Sequence, residues 1–403
     1  MAKTLLVSLV SDQTMPNVQL IKQLKDKATD YFFVTTSSME QKGTREWIEK
    51  ACQISGLKIE VNQFSFSDIE EKLSQYDFDI YDNIYVNLTG GTKIMTLVAY
   101  DFFKNIGAHI YYVTGLDNEY IKIFPVKKNN LSKFSGSASL EEYLTSYGFS
   151  VKKSQLSGIS FEQTEKIFKA YCTINIAEHI DAIRLINSKR GKVLKEDFDN
   201  VSVFLEAIGY EPKSKNCLSK DETKYLSGDW FEEYVGLKLK KELNLSDDDI
   251  FISTELKKAL SQNVKNDTLS LLGEKSENEL NNNNEMDVMF MYNNKFYSIE
   301  CKSSIVAYRT IQRNGEFIEK PYNILGETIY KSDSLARRFG LFANTSILTL
   351  ADFQEYCQSE DSGIHKTKIR EMEGVINRAN LSNIKLIDKK LLKSSDSLFS
   401  ILK

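Results

Sequence analysis

The sequence predicts a mixed α/β protein in three parts, and three observations predict it. Residues 1–125 alternate short runs rich in Val, Ile, Phe and Tyr with helical stretches, the rhythm of a mostly parallel sheet covered on both faces. Residues 160–210 read as helix alone. From residue 222 the order is helix, strands, helix, strand, helix, strand, helix, a second α/β unit. The expected divisions are 1–150, 151–221 and 222–403.

In chain order, the first unit offers strands at Thr4–Ser11, Tyr31–Ser37, Lys58–Phe64, Asn83–Leu88, His109–Thr114 and Tyr120–Val126. Helical stretches fall near 17–28, 39–55, 67–76 and 92–106. Ser135–Ser150 is small and polar around one short helix, Leu140–Tyr147, and reads as a domain exit. Phe161–Tyr171, Ile176–Leu185 and Lys195–Ala207 form the helical middle, which is either a connector or a small helix-turn-helix domain. The last unit has a helix at Leu226–Leu243, a strand at Phe251–Thr254 and a hairpin at 286–302. A helix at Tyr322–Phe339 and strands at Ser346–Ala351 and Ile384–Ile387 follow. The Asn281–Asn284 run reads as a polar turn before the hairpin.

Composition narrows the function classes. A chain of 403 residues with 41% hydrophobic content can hold two or three packed domains. A formal net charge of −4 supplies no global basic field, which weighs against a protein that coats nucleic acid but not against a local basic groove. With only 4 prolines and 19 glycines, long disordered linkers are not expected. The five cysteines (Cys52, Cys172, Cys217, Cys301, Cys357) are scattered without a C-x-x-C pair, which argues against a disulfide framework or structural zinc and for a reducing cytoplasm. No signal peptide and no transmembrane run is read, so no membrane partner is expected.

The segment 286–302 carries the strongest chemistry. Two β-rich runs flank Asn293-Asn294, so Tyr292 pairs with Lys295 and Asp287 falls across from Glu300. Facing residues on antiparallel strands have Cβ atoms roughly 4.5–5.5 Å apart, and like charges there repel. Alternation puts Lys302 on the face of Glu300. A divalent cation explains why the carboxylates tolerate each other, since Mg²⁺ takes carboxylates, water and phosphate oxygens. The Cys301 backbone carbonyl offers a further oxygen, and Lys302 can hold a water or stabilise charge on a phosphate. The plain alternative is a solvated hairpin face with one surface ion pair, which would contribute little. Against it, Met289 and Met291 share the parity of Asp287.

A further acid stands on the preceding helix, where Glu232 and Glu233 follow Gly228-Asp229-Trp230-Phe231. Trp230, Phe231, Tyr234, Val235 and Leu237 turn part of that helix inward, and either Glu can reach the metal from its edge. Residues 222–390 resemble the PD-(D/E)xK nuclease superfamily, with its restriction-endonuclease-like fold. Asp287, Glu300 and Lys302 match its core motif, Glu232 matches its helical Gly-x-Trp-x-Glu, and Met286 stands where a proline is usual. The resemblance implies Mg²⁺ or Mn²⁺ held by Glu232, Asp287 and Glu300, and hydrolysis of nucleic-acid phosphodiesters. Tyr330, Lys331 and Arg337-Arg338 on the next helix are candidates for phosphate contact, with a solvated helix face as the alternative for the arginines.

The first unit gathers polar residues at one sheet edge. Asn83–Leu88 runs into Thr89-Gly90-Gly91-Thr92-Lys93 and then a helix, so free N–H groups, two hydroxyls and an ammonium can meet an anion. Thr92 can equally be a plain N-cap. Ser11-Asp12-Gln13-Thr14-Met15-Pro16-Asn17 and Thr35-Thr36-Ser37 end at the same edge, where ligands bind on such sheets. Arg45 is open between a surface charge and a ligand contact.

The loops 11–17 and 87–93 make residues 1–150 resemble the CARF domain, the CRISPR-associated Rossmann fold. The resemblance implies a two-fold homodimer that binds cyclic oligoadenylate through Ser11, Asp12, Gln13, Asn17, Thr35, Ser37, Thr89, Gly90, Gly91, Thr92 and Lys93. The order of CARF domain, connector and PD-(D/E)xK unit resembles ancillary nucleases of type III CRISPR defence, usually activated by cyclic tetra-adenylate. The expected function is a ligand-activated, metal-dependent nuclease acting on single-stranded RNA or DNA, or nicking duplex. The rival is a non-catalytic, ligand-responsive regulator whose helical middle binds DNA.

Overall fold

The computed structural model describes residues 2–115, 118–126, 131–258, 284–313, 316–341, 343–358 and 362–403. Two sheets organise it. The first contains β1 (Thr4–Leu9), β2 (Asp30–Thr35), β3 (Leu57–Glu60), β4 (Asn83–Asn87), β5 (His109–Val113), β6 (Glu119–Phe124) and β7 (Leu131–Lys133) in the order β3-β2-β1-β4-β5-β6-β7. β1 to β5 are parallel and the last two strands turn antiparallel. β1 is buried at every residue, as a central strand with helices on both faces must be. The order reverses beside β1, so the carboxyl ends of β1 and β4 and their loops lie together.

The second sheet has the order β15-β14-β11-β10-β9-β8. Its members are β8 (Phe149–Lys153), β9 (Ile250–Lys258), β10 (Asn284–Tyr292), β11 (Lys295–Lys302), β14 (Ala343–Thr349) and β15 (Ile384–Ile387). The expected boundary at residue 150 falls inside β8. Val151 pairs with Leu256 on β9, so the chain enters the second sheet before it passes through the helical middle. That middle consists of helices Phe161–Thr173, Ile180–Ser188 and Phe198–Ala207, packed in one core with Trp230, Phe231 and the underside of β10 and β11.

Three expected elements change form. The helix expected over 39–55 is two, Ser37–Lys42 and Thr44–Cys52, broken at Gly43, whose φ of 83° stops the first. The helix expected over Leu226–Leu243 starts with a π-helical turn, Tyr225–Asp229, before the regular helix Trp230–Leu243. The helix expected over Tyr322–Phe339 is only Leu325–Ala336. Before it, β12 (Val306–Arg313) and β13 (Glu316–Asn323) form an antiparallel ribbon from Val306↔Asn323 to Arg313↔Glu316. The ribbon closes where Ile324 N–H donates to the Ile305 carbonyl, and the Asn323 side chain then accepts from Leu325 N–H to start the helix. Of the expected Asn281–Asn284 turn, residues 281–283 lie outside the described residues, and Asn284 opens β10.

One core spans both sheets. Leu6, Val10, Met15, Tyr143 and Phe149 from the first half pack with Phe251, Met289, Phe296, Leu335 and Phe339 from the second. The Tyr143 and Phe296 rings stack at 4.8 Å between centroids. Among the described residues, no helix is long and apolar enough to cross a membrane.

Candidate functional site

The hairpin register is the one the turn implies. Tyr292 pairs with Lys295 and Val288 with Ile299, which carries Asp287 opposite Glu300. Both carboxylates are buried. Asp287 Oδ2 accepts the Cys301 N–H at 2.6 Å, which fixes it beside that peptide. Lys302 Nζ lies 2.8 Å from Glu300 Oε1 and 3.8 Å from Asp287 Oδ2. Lys331, on the helix Leu325–Ala336, reaches the same Glu300 oxygen at 3.3 Å.

Glu232 and Glu233 part company on the helix Trp230–Leu243. Glu232 Oε2 accepts the Ser253 hydroxyl at 2.7 Å. Ser253 sits in β9 at φ 47°, between the pairs Met286↔Thr254 and Val288↔Ile252, and therefore across from Asp287. Glu233 is spent elsewhere, accepting Ser157 N–H at 2.6 Å together with the Ser157 hydroxyl.

Electrostatics join these residues. Burial lifts the Asp287 carboxyl well above its usual range, and Glu300 and then Glu232 push it further. Burial also lifts Glu232 to about 7, against the Ser253 hydrogen bond. Burial alone would lower the Lys302 ammonium, but Asp287 and Glu300 outweigh it and hold it above the usual lysine range. Three carboxylates thus influence one another in one largely buried region, where Lys302 and, from its edge, Lys331 supply positive charge.

The donor chemistry suits a hard dication: carboxylate oxygens of Glu232, Asp287 and Glu300 beside the Cys301 backbone. Among the described residues, however, no three His, Cys, Asp or Glu side chains are grouped closely enough to hold a metal as they stand. Glu300 Oε1 is engaged by both lysines. A dication taking that oxygen must displace at least one ammonium.

At the edge of the first sheet the predicted residues divide into a surface set and a buried set. Asn17 and Asn87 are buried and bind each other: Asn87 Nδ2 donates to Asn17 Oδ1 at 2.8 Å and to the Pro16 carbonyl at 3.1 Å. Asn17 Nδ2 donates to the Leu9 carbonyl at 2.9 Å. Asn87 Oδ1 takes Thr89 N–H and the Thr89 hydroxyl, and Thr89 Oγ1 accepts Val113 N–H at 2.7 Å. Gly90 is where the two loops meet, since a Cβ there would overlap the Leu9 carbonyl oxygen. Gly91 has φ 76°.

Thr92 caps the helix Lys93–Asn105, accepting Met95 N–H and donating to the Gln63 carbonyl at 3.0 Å. Thr35 is fully buried within β2. Asp12, Ser37 and Lys93 are exposed, and Ser11 is half-buried. Asp12 pairs with Lys42 at 2.8 Å, a residue the sequence reading did not single out. Gln13 points its side-chain oxygen at the second half of the molecule, accepting Leu341 N–H at 3.0 Å. Arg45 is held between Glu40 and Glu49 with its side chain 13% exposed, so it is structural.

Residues 5–143 match the family model of the Card1 CARF domain. The N-terminal domain therefore has the Rossmann-like CARF fold, followed by helices and a C-terminal α/β domain. Two solved structures share the architecture over nearly the whole chain. Protein VC1899 from Vibrio cholerae is 15% identical with a TM-score of 0.67, covering 97% of this chain and 95% of that one. Can2 from Sulfobacillus thermosulfidooxidans, solved in complex with cyclic tetra-adenylate, is 17% identical with a TM-score of 0.66, covering 99% of each chain. At these identities the likeness establishes the fold. None of the curated proteins matches the sequence.

Proposed function

We propose that the protein is a type III CRISPR effector of the CARF class: a homodimeric, metal-dependent nuclease switched on by cyclic oligoadenylate. The observation that carries the nuclease half is the pairing of Asp287 with Glu300 and Lys302 across one hairpin, with Glu232 brought to the neighbouring strand from the preceding helix, an arrangement that resembles PD-(D/E)xK nucleases. The sensor half is supported by the match to the Card1 CARF domain and by a structural neighbour that binds cyclic tetra-adenylate. The surface set Ser11, Asp12, Ser37, Gly91 and Lys93, joined by Lys42, is the ligand-contacting edge. Asn17, Asn87 and Thr89 shape that edge from below. The exposed rings of Phe64 (72%) and Phe66 (56%) and the exposed Leu97 (59%) flank the Thr92 loop and offer an apolar surface for a second copy.

A bound Mg²⁺ or Mn²⁺ would supply a water of lowered pKa and stabilise the oxygens of the phosphate. Asp287, Glu300 and Glu232 would hold it, with the Cys301 carbonyl at hand. Asp287 is oriented by the Cys301 N–H. Lys302 balances the acids and is placed to hold the attacking water or the phosphate. Glu232 is held toward the hairpin by the Ser253 hydroxyl. The ligand acts only through a higher affinity for the arrangement with working nuclease sites.

The test is a cleavage assay on single- and double-stranded RNA and DNA, with and without cyclic tetra-adenylate, in Mg²⁺, Mn²⁺ or chelator. Cleavage that needs both metal and ligand is expected. Full cleavage by Glu300→Ala or Lys302→Ala variants would remove the assignment, and ligand-independent rates with no calorimetric heat would remove the sensor half.

A further inference from the structure

We propose that Lys331 is a second lysine of the reacting site and that Gln13 is its positioning residue, holding the helix that carries Lys331 to the ligand-sensing loop. The inference rests on the nuclease reading above and adds its internal wiring.

Glu300 Oε1 carries one ammonium more than a single charge pair requires. Lys302 stands 2.8 Å away on the same strand, with its side chain 26% exposed. Lys331 stands 3.3 Å away and is 45% exposed. Lys331 is therefore the looser partner, at the solvent mouth, and the one to yield when another cation takes Glu300. Released there, its ammonium lies within a side chain's reach of any phosphate bound at Glu300 and Lys302. A positioned cation at developing phosphate charge is a large catalytic effect.

The helix Leu325–Ala336 that carries Lys331 packs on its own domain through Leu325 and Ile329, and its far end meets the other domain. Leu335 packs in the core that spans both sheets. The turn after the helix docks on the CARF domain at three consecutive residues. The Phe339 carbonyl accepts the Tyr143 hydroxyl. Gly340 leaves no room for a Cβ against the Tyr147 hydroxyl and Gln13 Oε1. Leu341 N–H donates to Gln13 Oε1 at 3.0 Å. Gln13 belongs to the loop after β1, where its own carbonyl accepts the Ser11 hydroxyl and its neighbour Asp12 is exposed at the ligand edge. A shift of that loop on ligand binding is delivered to residue 341, and a packed helix passes it to residue 331.

The experiment combines calorimetry with cyclic tetra-adenylate, hydrogen exchange over residues 325–341, and cleavage rates, on the full chain. Wild-type exchange over 325–341 should change on ligand addition. At saturating ligand, confirmed by calorimetry, Gln13→Ala should lose that exchange change and lower the ligand-stimulated rate about tenfold. Lys331→Met should lower the stimulated rate by about tenfold or more while Lys331→Arg restores most of it, a split a merely structural role would not give. The double variant should be no slower than Lys331→Met alone, because the two residues act in one route. A Gln13→Ala protein with unchanged exchange response and unchanged stimulation overturns the tether, and a Lys331→Met protein at wild-type rate overturns the lysine's role. If no nucleic acid is cut by the wild type, yet ligand still changes exchange at 325–341 through Gln13, the nuclease reading fails and the tether stands.

Discussion

Replacing Asn87 by Ala should damage the sensing edge more than replacing any exposed residue on it. The Asn87 side chain is wholly buried and makes four hydrogen bonds: two donated, to Pro16 O and Asn17 Oδ1, and two accepted, from Thr89 N–H and Thr89 Oγ1. Net, such bonds contribute about 0.5–1.5 kcal/mol each, and each buried partner left unsatisfied costs about 1–3 kcal/mol. Some partners will recover water, so a loss of about 3 kcal/mol is the working figure. Asn87→Asp isolates the donors. It keeps both accepted bonds but turns an oxygen toward Pro16 O and Asn17 Oδ1, and Asn17 cannot reverse its amide without losing Leu9 O. Urea unfolding and hydrogen exchange across 83–93 would read both variants. Both should be destabilised, and both should bind cyclic tetra-adenylate weakly because the Thr89–Lys93 loop loses its support. An Asn87→Ala protein within about 0.5 kcal/mol of wild type would refute the view that this residue organises the edge.

Other expectations follow from the same geometry. Gly90→Ala should cost about 1–3 kcal/mol and weaken ligand binding, because its Cβ would overlap the Leu9 carbonyl; unchanged urea midpoint and calorimetric affinity would contradict it. Glu222 tests the electrostatics away from either site. Burial would raise its pKa, but the N–H groups of Lys213 and Ser219 and the Ser219 hydroxyl hold it below the usual 4.5. Its stabilisation is therefore complete above pH 4.5 and lost as pH falls through the lower folded value. Glu222→Gln should be less stable by about 1–3 kcal/mol at pH 7, with the gap to wild type closing in acid; a constant gap across an unfolding series in pH would count against it. Glu300→Ala should lower ligand-stimulated cleavage by about a hundredfold or more, as should chelation of the metal; rates within threefold of wild type would exclude Glu300 from the site.

The register of the 286–302 hairpin was legible because two local signals agree: a two-residue Asn-Asn turn and β-rich runs on either side. Asn293 and Asn294 take φ values of 51° and 57°, which asparagine tolerates better than most residues. The ribbon 306–323 went unread although Asn314-Gly315 is a strong hairpin signal. Its flanks mix Arg, Gln, Glu and Lys with apolar residues, because the ribbon pairs outside both sheets and several of its apolar residues, Tyr308, Phe317 and Ile318 among them, are exposed. Periodicity reports burial, and an unburied strand carries little of it.

Polar residues at a strand end pose a harder problem, since the same side chain can face a ligand or hold the loop that faces it. Asn17 and Thr35 look like ligand residues in the sequence and are buried in the structure, whereas Lys42, which no motif marks, stands at the edge with Asp12. The deciding fact is long-range: which carbonyl each amide meets. The contact between Gln13 and Leu341 spans 328 residues of sequence, and neither composition nor spacing hints at it. Local sequence writes the chemistry of each site separately. The contact between the two domains is written in packing, where a glycine at 340 and a tyrosine at 143 let one domain's turn sit against the other. For the switch proposed above this division has a physical basis. Each site's residues are fixed by the chemistry they perform, while the coupling needs only two surfaces that fit differently in two states.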